Sequence, residues 1–339
     1  MRAVRIISVG KTEVVEIEMP ELKPGHVLLK VGFVGFCGSD LNTFRGLNPL
    51  VQLPVVPGHE VGAVVESVGS DVPSGIKPGM NATVNPYTSC GYCPACRNGR
   101  PNSCEWNQTL GVQRDGAMSE YLLVPYEKVI VDDSISVRDF ALVEPLSVGF
   151  HAVDRAKVTD MDTVMVFGCG MIGLGAIVRA AIRGAKVIAV DVDDKKLELA
   201  KHLGACYAIH SQKENLHERI QEITVQCGAD VIIEAVGRPE TYLAAVAESA
   251  FTGRIVYIGY VKEKVPFDTQ FIVKKELDML GSRNALPSDF RAVTAYLRKG
   301  ICPVDKLITA VYPPEKAHIA LEKWAKNPSD VFRILIGFL

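Results

Sequence analysis

Asp162-Thr163-Val164-Met165-Val166-Phe167-Gly168-Cys169-Gly170-Met171-Ile172-Gly173 decides how this chain is read. An apolar run of strand length ends on a glycine, and three glycines in the order G-x-G-x-x-G open a predicted helix that reaches about Gly184. Alone, such a triplet is a weak sign, because glycine is common. Here it lies between a strand and a helix inside a βαβ unit, and Asp191 closes the next strand 23 residues after Gly168. Gly168 permits the tight turn, Gly170 lets a pyrophosphate approach the backbone, and Gly173 lets helix and strand pack closely. Free amides and the dipole at the helix start favour an anion. Asp191 can accept both ribose hydroxyls but repels a 2′-phosphate, and Asp193 and Asp194 add to that repulsion. The spacing therefore predicts a dinucleotide site that takes NAD in preference to NADP.

Outward from this stretch the pattern alternates. Strands are expected over Lys186 to Val190, Cys206 to Ile209, Val231 to Ile233 and Arg254 to Ile258. Helices are expected between them, over Lys195 to Leu203, Leu216 to Gln226 and Glu240 to Ala250. Such alternation predicts a doubly wound parallel sheet. From Ser288 the pattern gives a helix to Lys299, a strand near Leu307 to Val311, a helix over Glu315 to Lys326 and a last strand over Phe332 to Ile336.

Before about residue 145 the chain reads differently. Val14 to Ile17, Val27 to Val31, Ala63 to Val68, Ala82 to Val84, Tyr121 to Val124 and Lys128 to Val131 are short β-branched runs. Pro24-Gly25, Pro57-Gly58 and Pro78-Gly79 punctuate them, which suits a small barrel or folded sheet. We expect a β-rich domain over 1–147, a dinucleotide domain over 148–287, and a return to the first domain over 288–339. The dinucleotide domain would then be an insertion.

At 339 residues the chain is long for one core and typical of two domains. A net charge of −2 gives no reason to expect nucleic acid or an anionic membrane as partner. No apolar run approaches the roughly 18 residues of a spanning helix. The start, Met1 to Ile7, reads straight into a strand without the features of a signal peptide. Four of the nine cysteines fall within fifteen residues, which points to metal in a reducing cytoplasm.

Those four are Cys90, Cys93, Cys96 and Cys104, in a lobe over 88–105 rich in Gly, Pro, Arg and Asn. Four thiolates on one zinc make a closed, structural site, and such an ion can hold a loop that has little core of its own. Free buried thiols or a disulfide pair are the alternatives. A second constellation is sparser. Cys37 ends the strand that begins at Val27, and His59 and Glu60 follow it by 22 and 23 residues, behind the bend at Pro57-Gly58. A thiol, an imidazole and a carboxylate leave one position of a zinc ion open for an oxygen ligand, as catalytic zinc requires. His151, seven residues after Glu144 on a predicted helix, is expected to be a packed or hydrogen-bonded histidine, and Cys169 a small filler.

With these pieces the chain resembles the zinc-dependent medium-chain dehydrogenases over essentially its whole length. Glu144-Pro145-Leu146-Ser147-Val148-Gly149 is similar to the sorbitol (polyol) and threonine dehydrogenase branch. Gly111-Val112-Gln113-Arg114-Asp115-Gly116 and Lys275 to Asn284 resemble bacterial hexonate 5-dehydrogenases, which oxidise L-galactonate, L-gulonate or L-idonate. The resemblance implies a GroES-like catalytic domain plus a Rossmann domain, two zinc ions per chain, and a homodimer or homotetramer. It implies Cys37, His59 and either Glu60 or Glu144 at the catalytic zinc, and Cys90, Cys93, Cys96 and Cys104 at the structural zinc. It makes Ser39 the relay for the substrate proton. Gly168, Gly170, Met171, Ile172, Gly173, Asp191, Lys196 and Val236 would contact the cofactor, Lys196 at the adenosine ribose.

Two departures stand out. Where many members end the proton relay with a histidine this chain has Asn42, which cannot take up a proton. Gly79-Met80-Asn81-Ala82 also replaces a common Gly-Asp-Arg-Val turn.

The expected reaction is reversible NAD-linked oxidation of a secondary alcohol of a polyol or sugar acid. L-threonine 3-dehydrogenase and sorbitol-type activity are the alternatives within the branch. A sugar acid needs a partner for its carboxylate, and Arg45, Arg114 and Arg283 are candidates because guanidinium binds carboxylates bidentately. Arg283 also matches an arginine that polyol dehydrogenases carry near the nicotinamide. A zinc-free quinone reductase would lack Cys37, His59 and the cysteine lobe. A nucleotide-sensing or structural protein would hold one zinc per chain, in the lobe alone.

Overall fold

The computed structural model describes all residues, 1–339, and divides into two compact units: Met1–Pro145 with Leu286–Leu339, and Leu146–Ala285. The helix Val143–Arg155 contains the first boundary.

In the second unit six strands form one parallel sheet. Its spatial order is Tyr207–His210, Lys186–Asp191, Thr163–Phe167, Ala229–Glu234, Ser249–Tyr257 and Asp278–Gly281. Counted along the chain this is 3-2-1-4-5-6, the order in which a dinucleotide binds where the winding reverses. The central strand Thr163–Phe167 is apolar and buried along nearly its whole length because helices cover both faces of such a sheet. Two helices stop earlier than their sequence suggests. Leu216–Ile223 ends before Val225 and Gln226, which take positive φ values of 53° and 68°. Pro239–Ala247 ends because Ser249 already pairs with Ala229 in the sheet. Here tertiary pairing overrides the helical preference of an alanine-rich run.

In the first unit the strand His26–Phe36 is the hub. One edge pairs with Glu60–Val68, while the other takes Tyr121–Pro125 along its first half and Arg333–Gly337 along its second. The seven-stranded sheet continues through Asn81–Val84 to Val129–Val131, with Ile308–Tyr312 at the far edge. Arg2–Ser8 and Lys11–Glu16 form a separate hairpin. Alternate side chains of these strands, among them Val27, Leu29, Val31, Val61, Ala63, Val65 and Ile334, make one apolar core. The last strand pairs antiparallel with the hub, Ile334 opposite Phe36, so residues after 286 complete the first unit.

Candidate active site

Ladder register builds the site in the first unit. Gly35 pairs with Glu60, and Phe36 pairs with Ile334. Cys37, His59 and Arg333, next in line on three neighbouring strand ends, are thereby brought together. The ligand atoms of Cys37, His59 and Glu60 lie within 4.8 Å of one another. Gly35 has no side chain for a reason: a Cβ there would stand 2.1 Å from Glu60 Oε2, so the carboxylate occupies that space. Gly58 takes φ +100°, and a Cβ on it would meet Val34 at 2.6 Å. That is why the bend before His59 requires glycine.

His59 and Glu60 are buried, while Cys37 is half-buried. Glu60 is inaccessible, and Asp40, His59, Glu144 and Tyr87 are at most 5% exposed. Burial pushes the Glu60 and Asp40 carboxyls up, Glu60 well above the ordinary range. Burial also pushes the Cys37 thiol up, but the His59 imidazole and the Arg333 charge outweigh it and leave the thiol below its usual value. Burial alone would lower His59; Cys37, Asp40 and Glu144 together raise it well above normal. Asp40 Oδ2 accepts the Cys37 N–H at 2.8 Å and so fixes the start of the helix Gly38–Phe44.

His59 Nδ1, both Glu60 oxygens and Ser39 Oγ are buried without a hydrogen-bond partner. Buried polar atoms are normally paired, and each left unpaired costs about 1–3 kcal/mol. Unpaired nitrogen and oxygen atoms beside an acidified thiol, in a pocket richer in acids than bases, fit a divalent cation. Of the two carboxylates considered for that ion, Glu60 belongs to the triad. Glu144 lies outside it and accepts a hydrogen bond from the Tyr87 hydroxyl, whose ring packs edge-on against Phe290. Burial and the Glu144 charge raise the Tyr87 phenol well above its usual range.

Cys90, Cys93, Cys96 and Cys104 also converge. Three sulfur separations, Cys93 to Cys96 3.6 Å, Cys93 to Cys104 3.8 Å and Cys90 to Cys96 4.0 Å, bracket the roughly 3.8 Å edge of a tetrahedron with Zn–S bonds of about 2.3 Å. None of the nine cysteines is in a disulfide. Amides of Cys90 and Cys93 point at the sulfurs of Cys104 and Cys90, each at 3.3 Å. Amide donors from Cys96 and Glu105 lower the Cys93 thiol to about 6, while burial lifts Cys96 to about 11.

In the second unit each glycine of the turn has its own role. Gly168 takes φ +87° with Val236 packed 2.8 Å from its Cβ position. A Cβ on Gly173 would stand 1.7 Å from the Gly168 carbonyl oxygen. Nothing lies within 4 Å of the Cβ position of Gly170, which leaves a bare cradle at the N-cap of Met171–Ile182, as a pyrophosphate needs. Asp191 accepts from the amides of Cys169 (2.6 Å), Val192 (2.7 Å) and Asp193 (3.1 Å), so it ties the turn to the second strand. Lys196 stands in the first turn of the next helix, and its amide bonds to Asp193.

The three arginines separate. Arg45 donates to the Ala325 carbonyl and is committed to a helix end. Arg283 is exposed after the strand Asp278–Gly281. Arg114 is half-buried and donates to the Gln108 carbonyl at 3.2 Å. His151 is buried in its helix, and Cys169 is fully buried in the glycine turn. Arg333, Tyr87 and Asp40 were not legible as site residues. The one signal was a charged residue opening an otherwise apolar last strand.

Comparison with known proteins agrees with this geometry. Residues 23–132 match the alcohol dehydrogenase GroES-like domain, and residues 172–299 match the zinc-binding dehydrogenase family. An uncharacterized zinc-type alcohol dehydrogenase-like protein of Haemophilus influenzae is 36% identical, with 98% of each chain covered. The L-galactonate-5-dehydrogenase of Escherichia coli is 33% identical over 95% of this chain and 94% of its own. A solved structure of rspB from Escherichia coli CFT073, described as a short chain alcohol dehydrogenase complexed with NADH, has a TM-score of 0.91 and 31% identity, covering 100% of this chain and 99% of that one. The chain belongs to the zinc-type medium-chain alcohol dehydrogenase family. It is an oxidoreductase acting on CH–OH donors, of the polyol and sugar-alcohol group, and works with zinc and a nicotinamide cofactor. No helix is long and apolar enough to cross a membrane.

Proposed function

We propose that the protein oxidises a secondary alcohol of a polyol or hexonate to the ketone, reversibly, with NAD. The observation that carries this reading is the triad Cys37, His59 and Glu60, with its unpaired donor atoms beside Ser39. Cys37, His59 and Glu60 would hold the catalytic zinc, and Glu144, which accepts from Tyr87, would be the alternative carboxylate. When bound, zinc supplies Lewis acidity to the alcohol oxygen, and the nicotinamide supplies the hydride acceptor. Ser39 Oγ, buried and unpaired, accepts the substrate hydroxyl proton and passes on its own as the carbinol carbon gives its hydride to the nicotinamide. Asn42 cannot take up a proton, so the relay runs on to solvent or a ribose hydroxyl.

A second zinc, held by the four-cysteine lobe, has a structural role. At the other ligand, Gly168, Gly170, Met171, Ile172 and Gly173 cradle the pyrophosphate, Val236 flanks the turn, and Asp191 and Lys196 meet the ribose. The charges of Asp191, Asp193 and Asp194 favour NAD. Nine cysteines without a disulfide support a cytoplasmic location. The family resemblance supports a homodimer or homotetramer.

The test is NAD⁺ reduction over a panel of polyols, hexonates, threonine and simple alcohols, with and without a chelator. Chelator-sensitive turnover of polyols or hexonates is expected. Turnover of threonine alone would move the protein to the threonine dehydrogenase branch.

A further inference from the structure

Arg114 and Lys128 form a pair of cations that the chain itself does not neutralise. Both are half-buried. Arg114 Nε donates to the Gln108 carbonyl at 3.2 Å and Lys128 Nζ to the Tyr87 carbonyl at 2.7 Å, so their hydrogen bonds go to main-chain oxygens rather than carboxylates. The acid beside Arg114 is engaged elsewhere: Asp115 accepts the Val56 amide at 2.8 Å and faces Arg5 at 3.9 Å. Burial lowers both cations, and for Lys128 the repulsion from Arg114 outweighs the attraction of exposed Glu127. The two cations sit on adjoining segments, since the Gln108 amide donates to Thr88 Oγ1 at 2.6 Å, next to the Tyr87 carbonyl that holds Lys128, and partly desolvated like charges are costly unless an anion joins them. After these bonds Lys128 keeps two N–H donors and Arg114 four.

Each cation is carried by a segment that borders the site. Tyr87, whose carbonyl holds Lys128, donates its hydroxyl to Glu144. The turn that carries Arg114 packs on the segment before His59: Cβ atoms on Gly111 and Gly116 would each stand 2.4 Å from Gly58 backbone atoms. On the Arg114 side, Arg114 lines a cavity of about 590 Å³ together with Gln52, Gln113 and Asp115, whose carboxylate is engaged with the Val56 amide. That volume is within the usual range for a small-molecule site.

We propose that Arg114 and Lys128 are an anion subsite that binds the carboxylate or phosphate end of a polyhydroxylated substrate while its carbinol lies at the triad. This deepens the function proposed above and rests on it. It makes the anionic end of the substrate, rather than chain length alone, the main source of selectivity. Arg114 presents a planar fork suited to two oxygens of the anion, and Lys128 adds a point charge.

The experiment compares wild type with Arg114→Gln and Lys128→Met, both checked by thermal melting. It measures kcat/KM for a hexonate, for the polyol phosphate and for the neutral polyol of the same carbon chain. The ratio of anionic to neutral kcat/KM is expected to fall about tenfold or more in each variant, through KM. Arg114→Lys should restore part of it. The arm that loses more, carboxylate or phosphate, identifies the native anion. Binding of inorganic phosphate and of the hexonate to the zinc-loaded protein, read by calorimetry without nucleotide, should weaken by a similar factor and also weaken with salt. Unchanged ratios and unchanged binding in both variants overturn the subsite. Failure of wild type to turn over any alcohol, with anion binding intact and lost in the variants, overturns the proposed reaction and leaves the subsite standing.

Discussion

Arg333 Nη1 lies 3.1 Å from Glu60 Oε1, and neither side chain is more than 5% exposed. The contact is an ion pair without the alignment of a good hydrogen bond, because the same Nη1 donates to the Phe36 carbonyl. Glu60 therefore has one fixed positive neighbour and oxygens still unsatisfied.

Removing that neighbour takes the permanent positive charge from beside a buried carboxyl, and breaking a buried pair costs about 3–5 kcal/mol. Arg333→Met should lose stability of that order in metal-free protein. The loss should be smaller after zinc loading, when the cation takes over as counter-charge. Urea unfolding in chelator and in zinc measures both. An equal loss in the two conditions would separate Glu60 from the metal.

Tyr87→Phe keeps the edge-on packing against Phe290, with ring centroids 6.1 Å apart in the parent, and removes the hydroxyl that holds Glu144. Losing one hydrogen bond to a buried carboxylate costs about 1–3 kcal/mol, and it loosens the hold on Glu144 on the side of Tyr87. In cobalt-substituted protein the visible spectrum should change in Tyr87→Phe and revert in the double variant with Glu144→Gln. An unaltered spectrum in the single variant would show that Tyr87 does not govern the coordination.

The two metal positions should be separable. Cys37→Ala should hold one zinc per chain and lose turnover while NAD binding, followed by fluorescence, persists. Cys96→Ser should also lose one zinc but keep turnover in fresh protein, with faster proteolysis across 88–105. Since burial lifts the Cys96 thiol while amide donors draw Cys93 down, loading the lobe at pH 8 should release protons from the thiols as a set. Proton release in weak buffer tests this, and Cys96→Ser should diminish it.

Asp191 bears on cofactor choice and on the turn itself. Asp191→Ala removes an acceptor used by the Cys169, Val192 and Asp193 amides, so it should weaken both nucleotides. Asp191→Asn keeps one acceptor oxygen and deletes the charge. It should lower the NAD-to-NADP ratio of kcat/KM by about tenfold, the scale of one lost charge contact. A ratio that does not move would place the discrimination elsewhere.

Much of this was legible in the sequence because it is local. The turn at Gly168, the four-cysteine lobe and the alternation after Asp162 each lie within a few tens of residues. The Cys37–His59 pairing was also readable, since one antiparallel return of the chain joins them. Arg333 was not, because register across a strand nearly 300 residues away puts it beside Cys37. Tyr87 and Lys128 carry no spacing signal; their roles come from a loop that folds back on the triad. The helix ends after Ile223 and Ala247 were misread for a similar reason, since left-handed residues and sheet pairing rather than local preference stop them.

The edge that Arg333–Gly337 supplies to His26–Phe36 also sets a timetable for assembly. During synthesis Cys37, His59 and Glu60 emerge early, yet the Arg333 charge beside Glu60 is missing until nearly the whole chain has left the ribosome. The second unit, continuous from 146 to 285, can fold meanwhile. The nascent first unit has to wait with an open strand edge and an unbalanced acid cluster. Truncations before residue 333 should therefore yield a nucleotide-binding unit attached to an aggregation-prone, poorly metallated partner.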